Sequence, residues 1–282
     1  MRAAPSPISA AVFPRKVLIV NTNGGGHANI GFWLAKVLQG QGHQVTLNVV
    51  GEQDDKKMSK PPFSYFSELT AMGVRTTWAN PGDLSSKVAG ENFDVVVDNN
   101  GKDLNSVGPV ADFAVACGAS QFFFVSSAGM YKPTNTPPHL EGDAVKESAG
   151  HNVVENMLST KPFKYSSFRP QYFTGYGNNK DCEEWFFDRL VRGRPVPVPG
   201  SGDQLSVVAH AEDVATMMAA AVGNDAAGGQ IFNAVTNRAV TLNGMAEICA
   251  KACGVEPKIV NYDVTNLPDG VEVKEALPFR PI

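Results

Sequence analysis

The segment Lys16–Gly31 reads K-V-L-I-V-N-T-N-G-G-G-H-A-N-I-G and decides the fold. Its opening residues, Lys16–Val20, are almost all apolar and predict a buried parallel strand. Glycines follow at 24–26, and from Asn29 onward apolar residues recur at helical spacing. A strand, a glycine turn and a helix amino end make a dinucleotide-phosphate site, because glycine lets the backbone come close and the helix end offers N–H groups.

The spacing of the small residues in this turn is G-x-x-A-x-x-G, a variant of the usual dinucleotide-binding pattern with alanine in the middle place. After the second strand, Glu52 or Asp54 is expected to hold the ribose hydroxyls of the cofactor. The alternative is that the glycine-rich turn only connects the strand to the helix and binds no ligand, since His27 and an extra turn residue narrow the space for a dinucleotide. The predicted cofactor-binding residues are Gly25, Gly26, His27, Ala28, Gly31 and Glu52.

Strand-like and helix-like segments alternate along the chain, with further strands at 45–50, 74–79, 93–97 and 121–125. This alternation predicts an α/β fold, a Rossmann-like doubly wound parallel sheet over residues 16–165. Residues 166–282 are expected to complete the sheet and form a small C-terminal lobe. Residues 1–15 are basic and rich in Ala, Ser and Pro, which suits a transit-peptide remnant, although a disordered leader has a similar composition.

The composition narrows the classes of function. The chain has 282 residues, 43% hydrophobic and 18% charged, and no apolar run approaches the length of about 20 residues that spans a bilayer. Its net charge of −4 argues against a generally basic nucleic-acid-binding surface, so any RNA contact requires a local patch. The four cysteines have no paired C-x-x-C spacing, which fits a reducing compartment, and Cys249 and Cys253, one helical turn apart, are expected to be core thiols rather than metal ligands.

Several longer motifs carry a family resemblance. The glycine turn, S-S-A-G-M-Y at 126–131, F-R-P at 168–170 and V-A-H-A-E-D-V-A at 208–215 resemble the extended short-chain dehydrogenase/epimerase superfamily. More narrowly, N-T-N-G-G-G-H-A-N-I-G, V-V-D-N-N-G-K-D and R-P-Q-Y-F-T-G-Y-G-N-N-K-D-C-E-E-W-F-F-D-R resemble the chloroplast stem-loop-binding protein family.

That resemblance implies a function in plastid RNA metabolism. It implies binding of stem-loop or ribosomal RNA, endoribonuclease activity with a divalent metal such as Mg²⁺, and association with ribosomes and the transcription machinery in the stroma or nucleoid. It also implies a C-terminus longer than this chain, and a homo-oligomer or a hetero-oligomer with a paralogue.

The residues themselves indicate that hydride chemistry is lost. Enzymes of the superfamily need a Tyr whose proton is taken with help from a Lys one helical turn later and from a Ser hydroxyl. Ser127 fits the Ser position, but counting back from Glu155 places Glu147 at the Tyr position and His151 at the Lys position. The pair Tyr176 and Lys180 matches Y-x-x-x-K formally, but its glycine and asparagines predict a loop.

Polar residues at the ends of the fourth and fifth strands offer groups for RNA cleavage, which needs a base, charge stabilisation and often a metal held by oxygen ligands. Asp98 and Asp103 are the predicted metal ligands. The alternative is that Asp98 and Asn99 bind turn backbone and that His151 lies on a helix surface. The predicted catalytic residues are Asp98, Asn99, Asp103, Ser127, His151 and Glu147.

Two basic clusters are candidates for RNA contact, because stacking aromatics and cations occur together in such surfaces. One cluster, Arg189, Arg192 and Arg194, follows the aromatic residues at 185–187 along a helix predicted at 181–191 and its exit. The other cluster contains Lys161 and Lys164. The same helix can instead bury Phe186 and Leu190 and expose its arginines to solvent. The predicted RNA-binding residues are Arg189, Arg192, Arg194, Lys161 and Lys164.

Two functions from other classes remain open at this point. The first is an NAD(P)-binding scaffold or sensor without catalysis. The second is an atypical nucleotide-sugar epimerase or reductase with an unorthodox proton relay.

Overall fold

The computed structural model describes residues 13–24, 26–178 and 182–267. Its strands are β1 Lys16–Asn21, β2 Gln44–Val49, β3 Arg75–Trp78, β4 Val95–Asn99, β5 Gln121–Val125, β6 Lys164–Pro170, β7 Tyr172–Thr174, β8 Val196–Pro199, β9 Leu205–Ser206, β10 Val208–His210, β11 Gln230–Ala234, β12 Val240–Thr241 and β13 Ile259–Tyr262. Its α-helices are α1 His27–Gly40, α2 Phe66–Ala71, α3 Leu84–Lys87, α4 Leu104–Ala116, α5 Gly150–Leu158, α6 Glu183–Val191, α7 Ala211–Ala220 and α8 Leu242–Cys253. Short 3₁₀ turns lie at Lys56–Ser59, Phe63–Tyr65, Pro81–Asp83, Ala128–Met130 and Asp225–Ala227.

A seven-stranded sheet in the order β11-β6-β5-β4-β1-β2-β3 forms the centre of the molecule. Every neighbouring pair in it is parallel. The connections therefore cross over the sheet, and the crossover helices cover both faces. The predicted Rossmann-like, doubly wound parallel sheet is confirmed.

The sheet is buried on both faces because successive residues of a strand point in opposite directions. In β1, Val17 and Ile19 belong to a core shared with α1, α2 and α7. Leu18 and Val20 belong to a second core shared with α4 and α5. All four of these side chains are fully buried.

A smaller lobe has its own core, built from α6, α8 and β8 around Phe186 and Leu242. β13 pairs with β8 in parallel at its side. Burial in this core raises the pKa of the Cys182 thiol to about 12 and that of Cys249 to about 11, which makes both poor nucleophiles. The predicted domain boundary at residue 165 falls inside β6, and the division of the chain into two domains stays a prediction.

Two element boundaries differ from the sequence prediction in ways that affect the candidate site. Helix α1 begins at His27 rather than Asn29, so His27 and Ala28 belong to its first turn. Strand β4 extends to Asn99 rather than ending at Val97, so Asp98 and Asn99 are strand residues and obey the alternation of faces.

Candidate functional site

The carboxyl ends of β1, β4 and β5 meet the amino end of α1 at one edge of the sheet. Gly26 is the N-cap residue of α1; no side chain caps the helix and its first turn contains no acidic residue. Because the first N–H groups of a helix lack intrahelical partners, such an end suits a phosphate. The predicted contact residues Gly26, His27 and Ala28 lie in this turn, whereas Gly25 lies outside the described residues.

Two buried asparagines join α1 to the sheet at this edge. Asn99 Nδ2 donates to Asn21 Oδ1 and to the His27 carbonyl oxygen, both at 2.7 Å. Asn21 Nδ2 donates in turn to the Ala28 carbonyl oxygen at 3.1 Å. A Cβ on Gly31 would overlap the Asn21 side chain, so glycine is required there for the helix to lie this close to the strand.

The glycine turn also contacts the segment that follows β2. Lys57 Nζ donates to Asn23 Oδ1 at 3.2 Å, and Gly51, at φ +102°, packs against the Asn23 amide. Glu52 is exposed just after β2, where the ribose of a dinucleotide is expected. The structure therefore places both a carboxylate and a lysine beside the turn.

Asp98 and Asp103, the predicted metal ligands, have separate local roles. Asp98 is fully buried, and its Oδ1 accepts hydrogen bonds from the N–H groups of Asn100 and Gly101. Burial raises the pKa of Asp98 to about 6, and its Oδ2 has no partner within the described chain. Asp103 is the exposed N-cap of α4, and hydrogen bonds from Ser106 lower its pKa.

These residues do not fit a resident divalent ion. Both predicted ligands hold local hydrogen bonds: Asp98 Oδ1 accepts from the N–H groups of Asn100 and Gly101, and Asp103 Oδ1 accepts from the N–H and the hydroxyl of Ser106. Across the described residues, no group of three or more His, Cys, Asp or Glu side chains is arranged to hold a metal. No step of the function below therefore uses Mg²⁺.

The positions of the proton relay hold no phenol. Glu147 lies in an exposed turn before α5, not in the helix as the residue count implied, because α5 begins only at Gly150. His151 lies in the first turn of α5 with its ring 6.0 Å from that of Phe124, and burial lowers its pKa. Gly150 packs against the Lys102 carbonyl, which brings His151 close to Asp103.

Ser127 and the nearby Tyr131 are occupied by structural hydrogen bonds. The Ser127 Oγ accepts from the Gly129 N–H at 3.1 Å and caps the 3₁₀ turn at 128–130. The Tyr131 hydroxyl donates to Asn233 Oδ1 at 2.7 Å and accepts from Arg169 Nη1 at 2.8 Å. This phenol is therefore tied to two side chains, of which Arg169 is buried, rather than directed at a reacting group.

Sequence reasoning missed the buried polar network to which Tyr131 belongs. Arg169 forms a bidentate ion pair with Glu155, at 3.1 Å from Nε to Oε1 and 2.6 Å from Nη2 to Oε2. Ser167 Oγ donates to the same carboxylate at 2.8 Å. Two sequence features belong to this network, the F-R-P motif and Asn233, which follows two apolar residues of β11. Neither feature indicated which side chain Arg169 or Asn233 would contact.

Tyr176 lies in a loop, as its neighbours predicted. Its hydroxyl donates to Glu68 Oε1 at 2.8 Å, and its ring stacks on Tyr65 with centroids 4.6 Å apart. The hydrogen bond to Glu68 raises the pKa of Tyr176 to about 12, which opposes the phenolate that a proton relay needs. Lys180 lies outside the described residues.

Helix α6 buries Phe186 and Leu190, so its arginines lie on the outer surface. The Arg189 guanidinium lies over the Trp185 ring at 4.5 Å, and Arg194 is exposed beyond the helix. Three other predicted RNA-binding cations form ion pairs of 2.7–2.8 Å with acids: Arg192 with Asp188, Lys161 with Asp112 and Lys164 with Asp225.

Known proteins are similar to this chain at two levels. Residues 24–234 match the model of the NAD dependent epimerase/dehydratase family. Among solved structures, Pal from Bacillus thuringiensis superimposes with a TM-score of 0.69 at 17% identity, covering 88% of this chain and 86% of that one. The NAD complex of UDP-glucose 4-epimerase from Thermus thermophilus gives 0.67 at 16% identity, covering 88% and 86%. At these identities the structures show a shared fold.

A closer relative comes from Arabidopsis thaliana. The chain is 38% identical over 276 residues to the chloroplast stem-loop binding protein of 41 kDa b, covering 94% of this chain and 70% of the relative. The chain therefore belongs to the NAD dependent epimerase/dehydratase family and, within it, to the group of chloroplast stem-loop-binding proteins. Within the described residues, no helix is long and apolar enough to cross a membrane.

Proposed function

We propose that the chain is a chloroplast protein that binds stem-loop RNA and carries out no hydride transfer. The observation that supports RNA binding is the 38% identity, across nearly the whole chain, to a protein named for stem-loop binding in the chloroplast. The same relative supports the compartment, since its name describes it as chloroplastic.

The geometry of the relay positions supports the loss of hydride transfer. Glu147 is exposed in a turn, His151 replaces the lysine, and the hydroxyls of Tyr131 and Tyr176 are bound to other side chains. A substrate hydroxyl at this edge would meet no acidified phenol. An epimerase or reductase would need a different acid–base group.

A second function, binding of NAD(P) as a scaffold or sensor, is favoured by the uncapped amino end of α1 and the close approach at Gly31. These features would hold the pyrophosphate of the cofactor, and Glu52 or Lys57 would contact its adenosine ribose. Ala28 departs from the usual glycine, which adds a methyl group where the backbone approaches the pyrophosphate.

Cleavage of bound RNA is the finer element of the proposal, and we assign the role of general base to His151. Burial lowers the pKa of this imidazole, so it is neutral and able to take the proton of a ribose 2′-hydroxyl. The 2′-oxygen then bonds to the adjacent phosphorus while the bond from phosphorus to the 5′-oxygen breaks, and the leaving 5′-oxygen takes a proton from water, which leaves a 2′,3′-cyclic phosphate and a 5′-hydroxyl. Asp103 lies beside it at the start of α4 and would orient the imidazole. Asp98 and Asp103 are given no metal ion in this step, since both carboxylates hold local hydrogen bonds.

The test measures binding and cleavage of a labelled RNA stem-loop by purified protein, with magnesium and with EDTA. We expect saturable binding in both conditions and no conversion of nucleotide-sugar substrates in the presence of NAD(P). Calorimetric titration with NAD⁺ and NADP⁺ tests the scaffold function separately. A protein that binds dinucleotide but no RNA would refute the main proposal and establish the second one.

Two variants test the cleavage site, His151→Ala and Asp103→Asn, of which the second keeps a side-chain cap on α4. We expect cutting in EDTA that is lost in His151→Ala, while RNA binding persists in both variants. The His151→Ala protein, purified in parallel, also controls for contaminating nuclease. Cutting that requires magnesium and survives both substitutions would disprove this site.

A further inference from the structure

Two neighbouring cavities lie on the surface between the loop at 172–178 and helix α6. One has a volume of about 340 Å³ and is lined by Tyr65 and Tyr176, and the other, of about 480 Å³, is lined by Trp185 and Arg194. The side chain of Phe187 lines both cavities. The two cavities adjoin at this residue, and together we call them the aromatic groove.

Aromatic faces are presented along this groove. The rings of Tyr65 and Tyr176 are nearly parallel, at 10°, and 49% of Tyr176 remains exposed to solvent. Trp185 and Phe187 are half-buried farther along α6. Exposed stacked rings are unusual on a protein surface without a ligand, because their faces could otherwise be buried in the core.

The Tyr176 end of the groove is held rigidly. Trp33 Nε1 donates to the Tyr176 carbonyl oxygen at 3.0 Å. The flanking glycines allow close packing: Gly175 lies against the His210 ring and Gly177 against Asn29, and both have positive φ. A ring fixed in this way loses little conformational entropy when a flat ligand stacks on it.

The charges beside the groove favour a polyanion at one end. Arg194 lines it and is exposed, and Arg189 lies against the outer face of α6. Two nearby carboxylates are engaged within the protein: Glu183 accepts from the Gly175 N–H at 2.8 Å, and Asp188 pairs with Arg192. Phosphates are therefore expected near Arg194 and bases near the tyrosines.

We propose that the aromatic groove binds the unpaired bases of an RNA loop by stacking. This inference rests on the proposed RNA-binding function and deepens it by naming where the loop binds. Stacking on aromatic side chains is open to any unpaired base, whereas bases in a duplex are already stacked on one another. A stem-loop would therefore bind more tightly than a fully paired duplex of the same length.

The test compares Tyr176→Ala and Trp185→Ala with two controls. Tyr176→Phe keeps the ring and removes only the hydrogen bond to Glu68, and Phe13→Ala removes an exposed ring just before the amino end of β1, at the opposite end of the sheet. The affinities for a stem-loop with 2-aminopurine in its loop and for a matched duplex are measured at one salt concentration, and thermal unfolding confirms folding.

We expect each alanine variant to bind the stem-loop at least about fivefold more weakly, with no change for the duplex, and both controls to bind normally. Binding should quench the 2-aminopurine fluorescence in the wild type and less in the alanine variants. If Tyr176→Ala does not fold, Trp185→Ala provides the same comparison.

The outcomes separate the two proposals. A wild-type protein that binds neither RNA would overturn both the function and the groove. A wild type that binds the stem-loop and the duplex equally, with all variants unchanged, would leave the RNA-binding function standing and overturn the groove, whose occupant would then be a peptide or another ligand.

Discussion

The Arg169 guanidinium and the Glu155 carboxylate form a bidentate ion pair in which the two side chains are only 3% and 5% exposed. The pair joins β6 to α5, in which Glu155 lies one helical turn after His151, the residue at the lysine position of the relay. Desolvation of both charges is costly, so the pair contributes stability only while both partners are present.

The first prediction concerns loss of one partner. Glu155→Gln leaves the Arg169 charge buried without a counter-ion, and the free energy of unfolding should fall by about 3 kcal/mol or more. Urea denaturation measures the change.

The matched control is Asp112→Asn, because Asp112 pairs with Lys161 at 2.7 Å but is 71% exposed. That substitution should cost less than about 1 kcal/mol. Equal losses in the two variants would contradict the distinction between the buried pair and the exposed pair.

A second prediction concerns the close approach of α1 to β1. In Gly31→Ala, the new Cβ would overlap the amide of Asn21, which is held by Asn99 and by the Ala28 carbonyl. The asparagine cannot move without losing these bonds, so overpacking should cost about 1–3 kcal/mol. NAD(P) affinity should fall as well, since the first turn of α1 would shift.

Gly40→Ala controls for the general effect of replacing glycine in the same helix. A Cβ added at Gly40 would meet nothing within 4 Å, and the variant should gain up to about 1 kcal/mol from the higher helix propensity of alanine. Unfolding curves with calorimetric titration of dinucleotide compare the two variants. A Gly31→Ala protein as stable as Gly40→Ala would argue against the close packing of α1 on Asn21.

The fold was largely predictable from the sequence because burial leaves a strong local pattern. The valine-rich strands, the glycine turn and the buried pair Phe186 and Leu190 of α6 all follow from residue spacing. Locating the strand ends was harder. Placing Asp98 and Asn99 beyond β4 rather than inside it suggested a single polar cluster, whereas strand alternation sends them to opposite faces.

The candidate site was less predictable because its contacts are long-range. Tyr131 bonds to Asn233 across 102 residues, and Tyr176 bonds to Glu68 across 108. A single sequence carries no signal for such pairs. The predicted absence of a relay needed only the residue types at 147 and 151, which is why it could be argued before the contacts were known.

The third prediction concerns pH. Burial raises the pKa of Asp98 from 3.8 to about 6, so the folded state binds this proton more tightly than the unfolded state does. Stability from this group is therefore full below pH 3.8 and is lost as pH rises through about 6. The shift corresponds to about 3 kcal/mol at neutral pH.

Asp98→Asn removes the titration and keeps an oxygen that can accept from the Asn100 and Gly101 N–H groups. We expect the variant to gain stability relative to wild type as pH rises from 4 to 7, measured by urea unfolding at each pH. His151 works in the opposite direction because burial lowers its pKa, so the difference between the two proteins is the quantity to compare. A difference that does not vary with pH would refute the assignment.

The last prediction links backbone conformation to RNA binding. Gly175 has φ +107°, and a Cβ there would overlap the His210 ring. That ring cannot easily yield, because its Nδ1 accepts from the Glu212 N–H and its face meets the edge of Trp33. Gly175→Ala should therefore displace the loop at 172–178 and separate Tyr176 from Tyr65, weakening stem-loop binding at least about fivefold.

Gly42→Ala is the matched control, because Gly42 has a similar positive φ of +88° but no atom within 4 Å of the added Cβ. The free energy of unfolding of this variant should fall by about 1–2 kcal/mol from backbone strain alone, and its affinity for RNA should not change. Fluorescence anisotropy with the stem-loop, together with thermal unfolding, separates the two effects. If Gly175→Ala lost more stability than Gly42→Ala and yet kept its RNA affinity, the loop would have no part in RNA recognition, since its displacement would then be without consequence for the ligand.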